Sequence, residues 1–211
     1  MPGEGKTRLT RLLGPEGGAQ LQGALLSDAV RKVAWLRGVA RYLFFAGRAP
    51  SRLMNFGGRL ETASYVLVPQ QGADLGERLE RAFRQLLGHH PSALVMGTDS
   101  PALDAQRLRQ ALNELSCCEA VLGPCPDGGY YLIGLRRFGS HLFRGVRWGS
   151  SFAFQDTLRN LMERGFSCSV LEALPDIDRP ADFRRLAKSL SRHPQLRRSA
   201  PATWSFVNNS I

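Results

Sequence analysis

The chain has 211 residues, of which 43% are hydrophobic and 22% are charged, so it can bury a core of the size found in ordinary globular proteins. It contains no apolar run as long as a membrane span and no leader-like apolar segment near its start, which excludes an integral membrane protein and predicts a cytoplasmic one. The net charge of +10 is concentrated in residues 1–60 and 179–211, and basic ends of this kind attract phosphates or nucleic acid.

Two further features narrow the class of protein. Aromatic residues are not interleaved with the basic ones, as they are in proteins that bind single strands, so a nucleic-acid-binding module is the less favoured interpretation of the charge. No two of the cysteines form a C-x-x-C motif, which predicts reduced thiols; they are Cys117, Cys118, Cys125 and Cys168.

Apolar periodicity predicts helices that alternate with strands along the chain. Helices are expected at residues 15–37, 74–87, 104–115, 152–164 and 180–190, and strands at residues 42–45, 65–68, 93–97, 120–123, 130–134 and 168–171. This alternation is typical of a largely parallel sheet with helices on both faces. We therefore expect one α/β domain over residues 1–191. Residues 192–211 show no clear period, which predicts a mobile C-terminal tail.

The most informative stretch is residues 93–101. An apolar run ends in Asp99, and Pro101, which cannot continue a strand ladder, follows two positions later. A buried strand that ends in this way brings an acid to the carboxyl edge of an α/β sheet, where such folds bind ligands. Asp99 is therefore the first candidate for chemistry. The alternative is that Asp99 caps the helix that is predicted to begin near Asp104.

The N-terminal segment is a glycine-rich basic loop that leads towards a helix. Such loops cradle phosphates, and Gly5-Lys6-Thr7 matches the last residues of the phosphate-loop motif of ATPases. The first glycine of that motif and the strand that precedes it are not in the sequence. An ATPase is therefore the weaker interpretation of this loop.

Two other motifs contain acidic residues in turn-like settings. Asp127 is followed by two glycines that permit close backbone approach to a ligand, although a plain hairpin turn explains the same residues about as well. Asp176 and Asp178 point the same way in an extended segment, and paired carboxylates suit a hard cation such as Mg²⁺. The alternative for Asp178 is that it caps a helix opening at Pro180.

These motifs follow one another in the same order as in a known family, which the chain resembles. The segments that carry the resemblance are residues 6–9, 13–17, 71–79, 97–101, 123–135 and 176–182. The chain resembles a bacterial family of glycosyltransferase-like proteins, part of which is described as arsenosugar-biosynthesis glycosyltransferases. That family belongs to the nucleotide-diphospho-sugar transferase (GT-A) superfamily. The chain is also similar to phospholactate guanylyltransferase and to the molybdenum-cofactor guanylyltransferases.

The resemblance implies a nucleotide site and a metal site. Lys6 and Arg8 match the loop that faces nucleotide phosphates, and Thr98 joins them as a nucleotide-binding candidate. Asp99 matches the metal-binding aspartate. Asp178 falls in the second acidic motif as a further ligand for Mg²⁺ or Mn²⁺. A divalent cation and a positive loop neutralise a departing nucleoside diphosphate or pyrophosphate without a covalent intermediate.

The resemblance also implies an acceptor or sugar loop. Asp127, Gly128, Gly129 and Tyr130 match that loop, and Asp127 joins Asp99 as a catalytic candidate. The chain departs from the family at Trp148-Gly149-Ser150, where Trp-Ser-Thr is usual, and at Arg179, where Thr is usual.

The sequence thus predicts a GT-A protein with a mixed, mostly parallel sheet that lacks the usual first strand at the centre of the sheet. We expect a metal-dependent glycosyltransferase-like protein with a nucleotide-sugar donor and a small-molecule acceptor. The alternatives are a nucleotidyltransferase and, in another class, a non-catalytic nucleotide-binding remnant. A chain without the central strand is expected to be less stable than one that has it, or to associate as a homodimer through the gap.

Overall fold

The strands of the protein form two sheets. A computed structural model of the chain describes residues 6–47 and 65–210, so Gly3 and Gly5 of the predicted phosphate loop and residues 48–64 lie outside the described residues. The smaller sheet pairs β1 with β2, and the larger one has the order β3-β5-β4-β6. The strands are β1 (Tyr42–Phe45), β2 (Val66–Pro69), β3 (Ala93–Met96), β4 (Ala120–Pro124), β5 (Tyr130–Leu135) and β6 (Cys168–Val170).

One strand of the larger sheet runs against the others. β5 is antiparallel to both β3 and β4, whereas β4 and β6 are parallel, as are β1 and β2. β3, β4 and β6 therefore share one direction, which confirms the predicted mixed and mostly parallel arrangement. The reversal at β5 follows from the short turn after β4, because a parallel connection needs a crossover of a dozen residues or so.

The predicted helices are present, and two more follow them. Those described are α1 (Thr10–Ala34), α2 (Leu75–Leu87), α3 (Ala105–Cys117), α4 (Ala153–Glu163), α5 (Pro180–Arg192), α6 (Pro194–Ser199) and α7 (Pro201–Ser210). α1 begins before the predicted start at residue 15, but its helical path is interrupted at Gly14, whose φ of 71° is left-handed. Within the described part of the chain, we find no helix with the length and hydrophobicity needed to cross a membrane.

Helices cover both faces of the larger sheet. On one face, Phe83 of α2 and Leu161 of α4 pack with Ile133 of β5. On the other face, Leu108 of α3 packs with Leu132 of β5. Leu132 and Ile133 are neighbours in sequence, and successive side chains of a strand point to opposite faces. The sheet is therefore buried on both sides, as the alternation of elements predicts.

The C-terminal residues pack against α1, in contrast to the predicted mobile tail over residues 192–211. Asp28 of α1 is 1% exposed, and its carboxylate accepts hydrogen bonds from Ala202 N at 3.0 Å and from Thr203 N and Oγ1 at 2.8 and 2.7 Å. Val207 of α7 is fully buried in a cluster that includes Leu21 of α1. Sequence periodicity misses this helix because its stabilising carboxylate comes from a distant element.

A cleft separates the two sheets. In the part of the chain that the structure describes, β1 pairs only with β2 and β3 only with β5, so each strand has an unpaired edge. Residues of β1, β3, α1 and α3 line a cleft of about 610 Å³ that reaches Thr98 and Asp99. A gap of this kind is what the lack of the usual first strand predicts.

Candidate active site

Asp99 lies just beyond the carboxyl end of β3 and is accessible to a ligand. Gly97 N donates to Tyr131 O at 3.0 Å, so pairing with β5 persists one residue past the strand. The side chain of Asp99 is 43% exposed. Thr98 Oγ1 lies 3.3 Å from Asp99 Oδ1 and accepts a hydrogen bond from Gln22 Nε2 at 3.2 Å. Thr98 therefore links the carboxylate to α1.

Neither Asp99 nor Asp178 caps a helix. The N-cap of α3 is Asp104, whose Oδ1 accepts a backbone hydrogen bond from the first turn at 2.8 Å. The N-cap residue of α5 is Arg179, and the carboxylate of Asp182 accepts from the N–H of Arg179 at 2.7 Å. The cap alternatives are therefore wrong, and both carboxylates are left for other partners.

Each of these two acids instead pairs with a cation from the N-terminal segment. Lys6 Nζ lies 2.9 Å from Asp99 Oδ2 and also donates to Ile177 O, and the Lys6 side chain is only 3% exposed. Arg8 forms an ion pair with Asp178 in which both side chains are partly exposed. The backbone of Lys6 has a φ of 54°, a conformation that non-glycine residues seldom adopt. The structure thus joins the two predicted phosphate-binding cations to the two predicted metal ligands.

Asp127 closes the turn between β4 and β5. Its Oδ1 accepts from Gly129 N at 2.9 Å, and Cys125 N donates to Gly129 O at 2.9 Å. Gly128 has a φ of 89°, and a Cβ at this position would lie 2.1 Å from Ser151 O, so a larger residue does not fit. The hairpin interpretation is therefore right for the backbone, while the Asp127 side chain is exposed beside it.

Three further ligand atoms converge next to this turn. The Cys125 Sγ and carboxylate oxygens of Asp127 and Asp176 all lie within 4.8 Å of one another. Burial, with the charge of Asp127 as a smaller cause, raises the pKa of Asp176. Burial and the charges of Asp176 and Asp127 raise the pKa of the Cys125 thiol to about 12. The group therefore holds negative charge that is partly shielded from water.

Tyr130 faces the core rather than the open side of the turn. Its hydroxyl is buried beside Thr157 of α4, and burial raises the pKa of this phenol. The ring meets Trp148 edge-on, with the ring centroids 6.1 Å apart. The structure thus departs from the predicted contact between Tyr130 and an acceptor, because the hydroxyl is held within the protein.

Comparison with known proteins identifies the family. Residues 29–150, more than half of the chain, match the family DUF2064, described as an uncharacterized protein conserved in bacteria. The chain belongs to this family. A search of curated proteins gave no match.

Solved structures show what fold the DUF2064 protein has. One match is the crystal structure of a protein from Desulfovibrio desulfuricans G20 that is named provisionally as a nucleotide-diphospho-sugar transferase. The two sequences are 28% identical, and the structures superpose with a TM-score of 0.88 over 99% of this chain and 90% of that chain. A Mycobacterium sp. strain JC1 homologue of the Mycobacterium tuberculosis protein Rv0371c is 16% identical with a TM-score of 0.51, covering 82% of this chain and 83% of that one.

A third match is a CMP:2-keto-3-deoxy-manno-octonic acid synthetase in complex with CTP. It is 12% identical with a TM-score of 0.51, covering 80% of this chain and 88% of that one. This match and the mycobacterial one show the fold alone. Together, the three confirm that the DUF2064 protein has the GT-A-like α/β fold of nucleotide-diphospho-sugar transferases.

Sequence reasoning missed part of the site of the DUF2064 protein. The sequence shows Asp176 as the first acid of its motif. It does not show that Asp127 lies beside Asp176, because that contact depends on the turn after β4. Cys125 gave no signal beyond its place in that turn. Contacts between residues so far apart in the chain follow from strand order, which periodicity does not determine.

Proposed function

We propose that the DUF2064 protein is a metal-dependent transferase that uses a nucleotide-sugar donor. The observation that supports this most is the Lys6–Asp99 ion pair beyond the carboxyl end of β3, at one end of the cleft between the sheets. Open α/β sheets bind ligands at this edge. A buried ammonium and a half-exposed carboxylate there are suited to a ligand that carries both phosphate and a divalent cation.

The two ion pairs provide a way to accept such a ligand without leaving a buried charge unpaired. Donor phosphates would replace the carboxylates that now pair with Lys6 and Arg8, and the released Asp99 and Asp178 would be able to hold a divalent cation. Charge is thus balanced before and after binding, which matters most for the buried Lys6. In the transfer step, Lys6 and Arg8 hold the charge that develops on the departing diphosphate.

The acidic residues at this edge fit Mg²⁺ or Mn²⁺. Both ions prefer oxygen ligands, and Asp176 offers one beside Asp127, within 4.8 Å of it, with no described cation joined to either acid by an ion pair. Asp99 lies near enough to Cys125 for its charge to act on that thiol, so the three acids share one region. Because both cations are hard, carboxylate oxygens rather than the Cys125 thiol are the ligands that suit them. A cation bound here would neutralise the leaving diphosphate.

The open side of the Asp127 turn is where we place the acceptor. Asp127 is exposed there, and the backbone at Gly128 and Gly129 allows an acceptor to approach closely. In this role, Asp127 accepts the proton of the attacking hydroxyl.

Analysis of products tests this proposal. The protein is incubated with Mn²⁺ and a panel of UDP-, GDP-, ADP- and CMP-linked sugars and, in separate reactions, with nucleoside triphosphates and a sugar phosphate, and the released products are identified. Release of a nucleoside diphosphate or monophosphate from its sugar, lost in Asp127→Asn, supports glycosyl transfer. Formation of a nucleotide-linked product and pyrophosphate from a nucleoside triphosphate indicates a nucleotidyltransferase instead. Tight nucleotide binding without turnover of any donor indicates a non-catalytic protein.

A further inference from the structure

Cys125, the residue that follows β4, has a polar neighbourhood on one side. The residue is 7% exposed and belongs to the apolar cluster that contains Tyr131 and Leu174. A buried free cysteine usually packs as a small apolar side chain. The Cys125 Sγ nevertheless lies within 4.8 Å of carboxylate oxygens of Asp127 and Asp176. The proposed transfer reaction uses carboxylates in this region but gives the thiol no role.

We propose that Cys125, Asp127 and Asp176, which we call the Cys125 site, bind a thiophilic divalent cation of the zinc type. Proteins bind Zn²⁺ through thiolate sulfur and carboxylate oxygen, and accessible zinc sites have three protein ligands and an open fourth position. The Cys125 site supplies one sulfur and two oxygens, and the exposed Asp127 gives an ion a route from solvent. The inference goes beyond the proposed function, since Mg²⁺ and Mn²⁺ do not need the sulfur.

The spacing of the three ligand atoms suits an ion of this size. Tetrahedral Zn²⁺, with bonds of about 2.0–2.3 Å, needs its ligand atoms roughly 3.5 Å apart. The three atoms lie within 4.8 Å of one another, and Asp127 and Asp176 are exposed and half-buried respectively. Small rotations of these two side chains are therefore enough to bring the ligand atoms together around an ion.

Ser100 provides a second, independent indication of a thiolate ligand. The residue is 6% exposed. Burial raises the pKa of the Cys125 thiol, whereas a hydrogen bond from the Ser100 hydroxyl acts to lower it and so favours the thiolate. In the described part of the chain, this hydroxyl has no other hydrogen-bond partner. Side chains that bind a metal are commonly held by an outer hydrogen bond of this kind.

The charges around the thiol also favour a cation. Besides burial, the carboxylates of Asp176 and Asp127, and more weakly that of Asp99, raise the pKa of the Cys125 thiol. These charges hold the proton on the sulfur as long as no cation is bound. A bound divalent cation attracts the carboxylates and the thiolate together, and the thiol proton passes to solvent. Binding therefore replaces repulsion among the three ligands by attraction to one ion.

Ultraviolet absorption of the reduced, metal-free protein tests the inference without any nucleotide. Cd²⁺ is the probe, because a cadmium–thiolate bond gives a charge-transfer band. We expect Cd²⁺ to produce this band with saturation at one ion per chain, and Zn²⁺, but not Mg²⁺, to remove it. Cys125→Ser should abolish the band. Asp176→Asn, which keeps the sulfur, should raise the Kd for Cd²⁺ at least about tenfold, a loss of about 1.4 kcal/mol.

Cys168→Ser and Cys117→Ser are the matched controls. Cys168 is half-buried, and burial raises the pKa of its thiol to about 11, whereas Cys117 is exposed. Both control variants should keep the band and the Kd of the wild type. Thermal unfolding shows which variants are folded, and if Cys125→Ser is not, the Kd of Asp176→Asn decides.

The inference is overturned if Cd²⁺ gives no saturable band, or if the band persists in folded Cys125→Ser. It is also overturned if a control variant loses the band, or if Asp176→Asn binds Cd²⁺ as tightly as the wild type does. Because no nucleotide or donor is present, these outcomes do not depend on whether the protein is a transferase.

Discussion

Lys6 Nζ lies 2.9 Å from Asp99 Oδ2, so the first described residue of the chain is joined to the acid that follows β3. The same ammonium donates to Ile177 O, and Ile177 N donates to Asp99 O at 3.0 Å. Three distant segments therefore meet at one buried charge. This contact connects the fold to the proposed chemistry, because a donor phosphate and the Asp99 carboxylate would compete for the same ammonium.

Replacement of both Lys6 and Arg8 by Ala should weaken binding of a nucleoside diphosphate much more than binding of the nucleoside. Each lost charge-assisted hydrogen bond is worth about 1.5–3 kcal/mol. Isothermal titration calorimetry of both ligands measures the difference. A double variant with unchanged diphosphate affinity would remove the N-terminal segment from the site.

The control for that experiment is a pair of arginines near the C-terminus. Arg192 and Arg198 are exposed, and the described structure assigns them no side-chain hydrogen bond. Arg197 is unsuitable, because its guanidinium donates to Leu190 O at 2.6 Å and lies over the ring of Trp204. Replacing Arg192 and Arg198 by Ala should leave diphosphate affinity unchanged. If this double variant instead loses binding to an oligonucleotide, and if that binding in the wild type falls steeply with salt, nucleic acid is favoured as the ligand.

Asp28→Ala should loosen α7 and lower the free energy of unfolding by about 3 kcal/mol. The change leaves the buried N–H and hydroxyl of Thr203 without their acceptor, and such unsatisfied groups cost roughly 1–3 kcal/mol each. Urea denaturation gives the change in stability, and limited proteolysis shows whether cleavage moves to residues 193–203. Ser27→Ala, at the neighbouring position, is the control. Equal stability of the two variants would show that α7 does not depend on this carboxylate.

Much of the fold could be predicted from the sequence, because its elements are short apolar runs between clear turns. β1 is found at the predicted residues, and α2 and β3 differ from prediction by one residue at one end. The direction of β5 and the packing of α7 could not be predicted in this way. The first depends on the length of a turn and the second on Asp28, which lies more than 170 residues away from Thr203.

For the candidate site, the sequence indicates where single residues lie but not which residues they contact. The apolar run before Asp99 shows that this acid lies at a sheet edge. It does not show that Lys6 is bound to it, or that Asp176 lies beside Asp127 rather than with Asp178. Both contacts are set by the order of strands in three dimensions. Sequence patterns of period 2 or 3.6 report only which face of an element is buried.

Lys32 should contribute stability that rises with pH between about 8 and 10.5. Burial lowers the pKa of this lysine from 10.5 to about 8, against the opposing charges of Asp28 and Asp104, and its Nζ donates to Pro101 O at 2.8 Å. Within that pH range, the unfolded chain keeps a proton on Lys32 that the folded protein has released. The contribution of Lys32 to the free energy of unfolding therefore increases with pH.

Comparison with Lys32→Met isolates this effect. From pH 7.5 to pH 10.5, the wild type should gain up to about 3 kcal/mol relative to the variant, since one pKa unit corresponds to about 1.4 kcal/mol. Chemical denaturation at several pH values provides the measurement. A constant difference between the two proteins would show that Lys32 has an ordinary pKa in the fold.

An apolar strand fused before Met1 should stabilise the protein by filling the cleft between β1 and β3. Among residues 6–47 and 65–210, no strand pairs with either edge that faces the cleft, and the contact of Lys6 with Asp99 brings the start of the described chain to one end of the cleft. We expect Tm to rise by at least about 4 °C, which corresponds to roughly 1–2 kcal/mol in a chain of this size. The same extension with a central Pro, which cannot complete the ladder, should give no rise. Identical Tm values for both fusions would mean that the cleft does not accept a strand.

The most direct test of the proposed function is calorimetry of nucleoside diphosphates with and without Mn²⁺, in the wild type and in Asp99→Asn. The account predicts that at least one nucleoside diphosphate binds the wild type about tenfold more tightly with Mn²⁺ than without it, and that Asp99→Asn loses this gain. Because Asp99 is half-exposed and caps no helix, and the Asn amide oxygen can still accept from Lys6, the variant should remain folded, with cooperative thermal unfolding at a lower temperature than in the wild type because Lys6 loses its charged partner. An undiminished effect of Mn²⁺ in folded Asp99→Asn, or no binding of any nucleoside diphosphate to the wild type, would contradict the account.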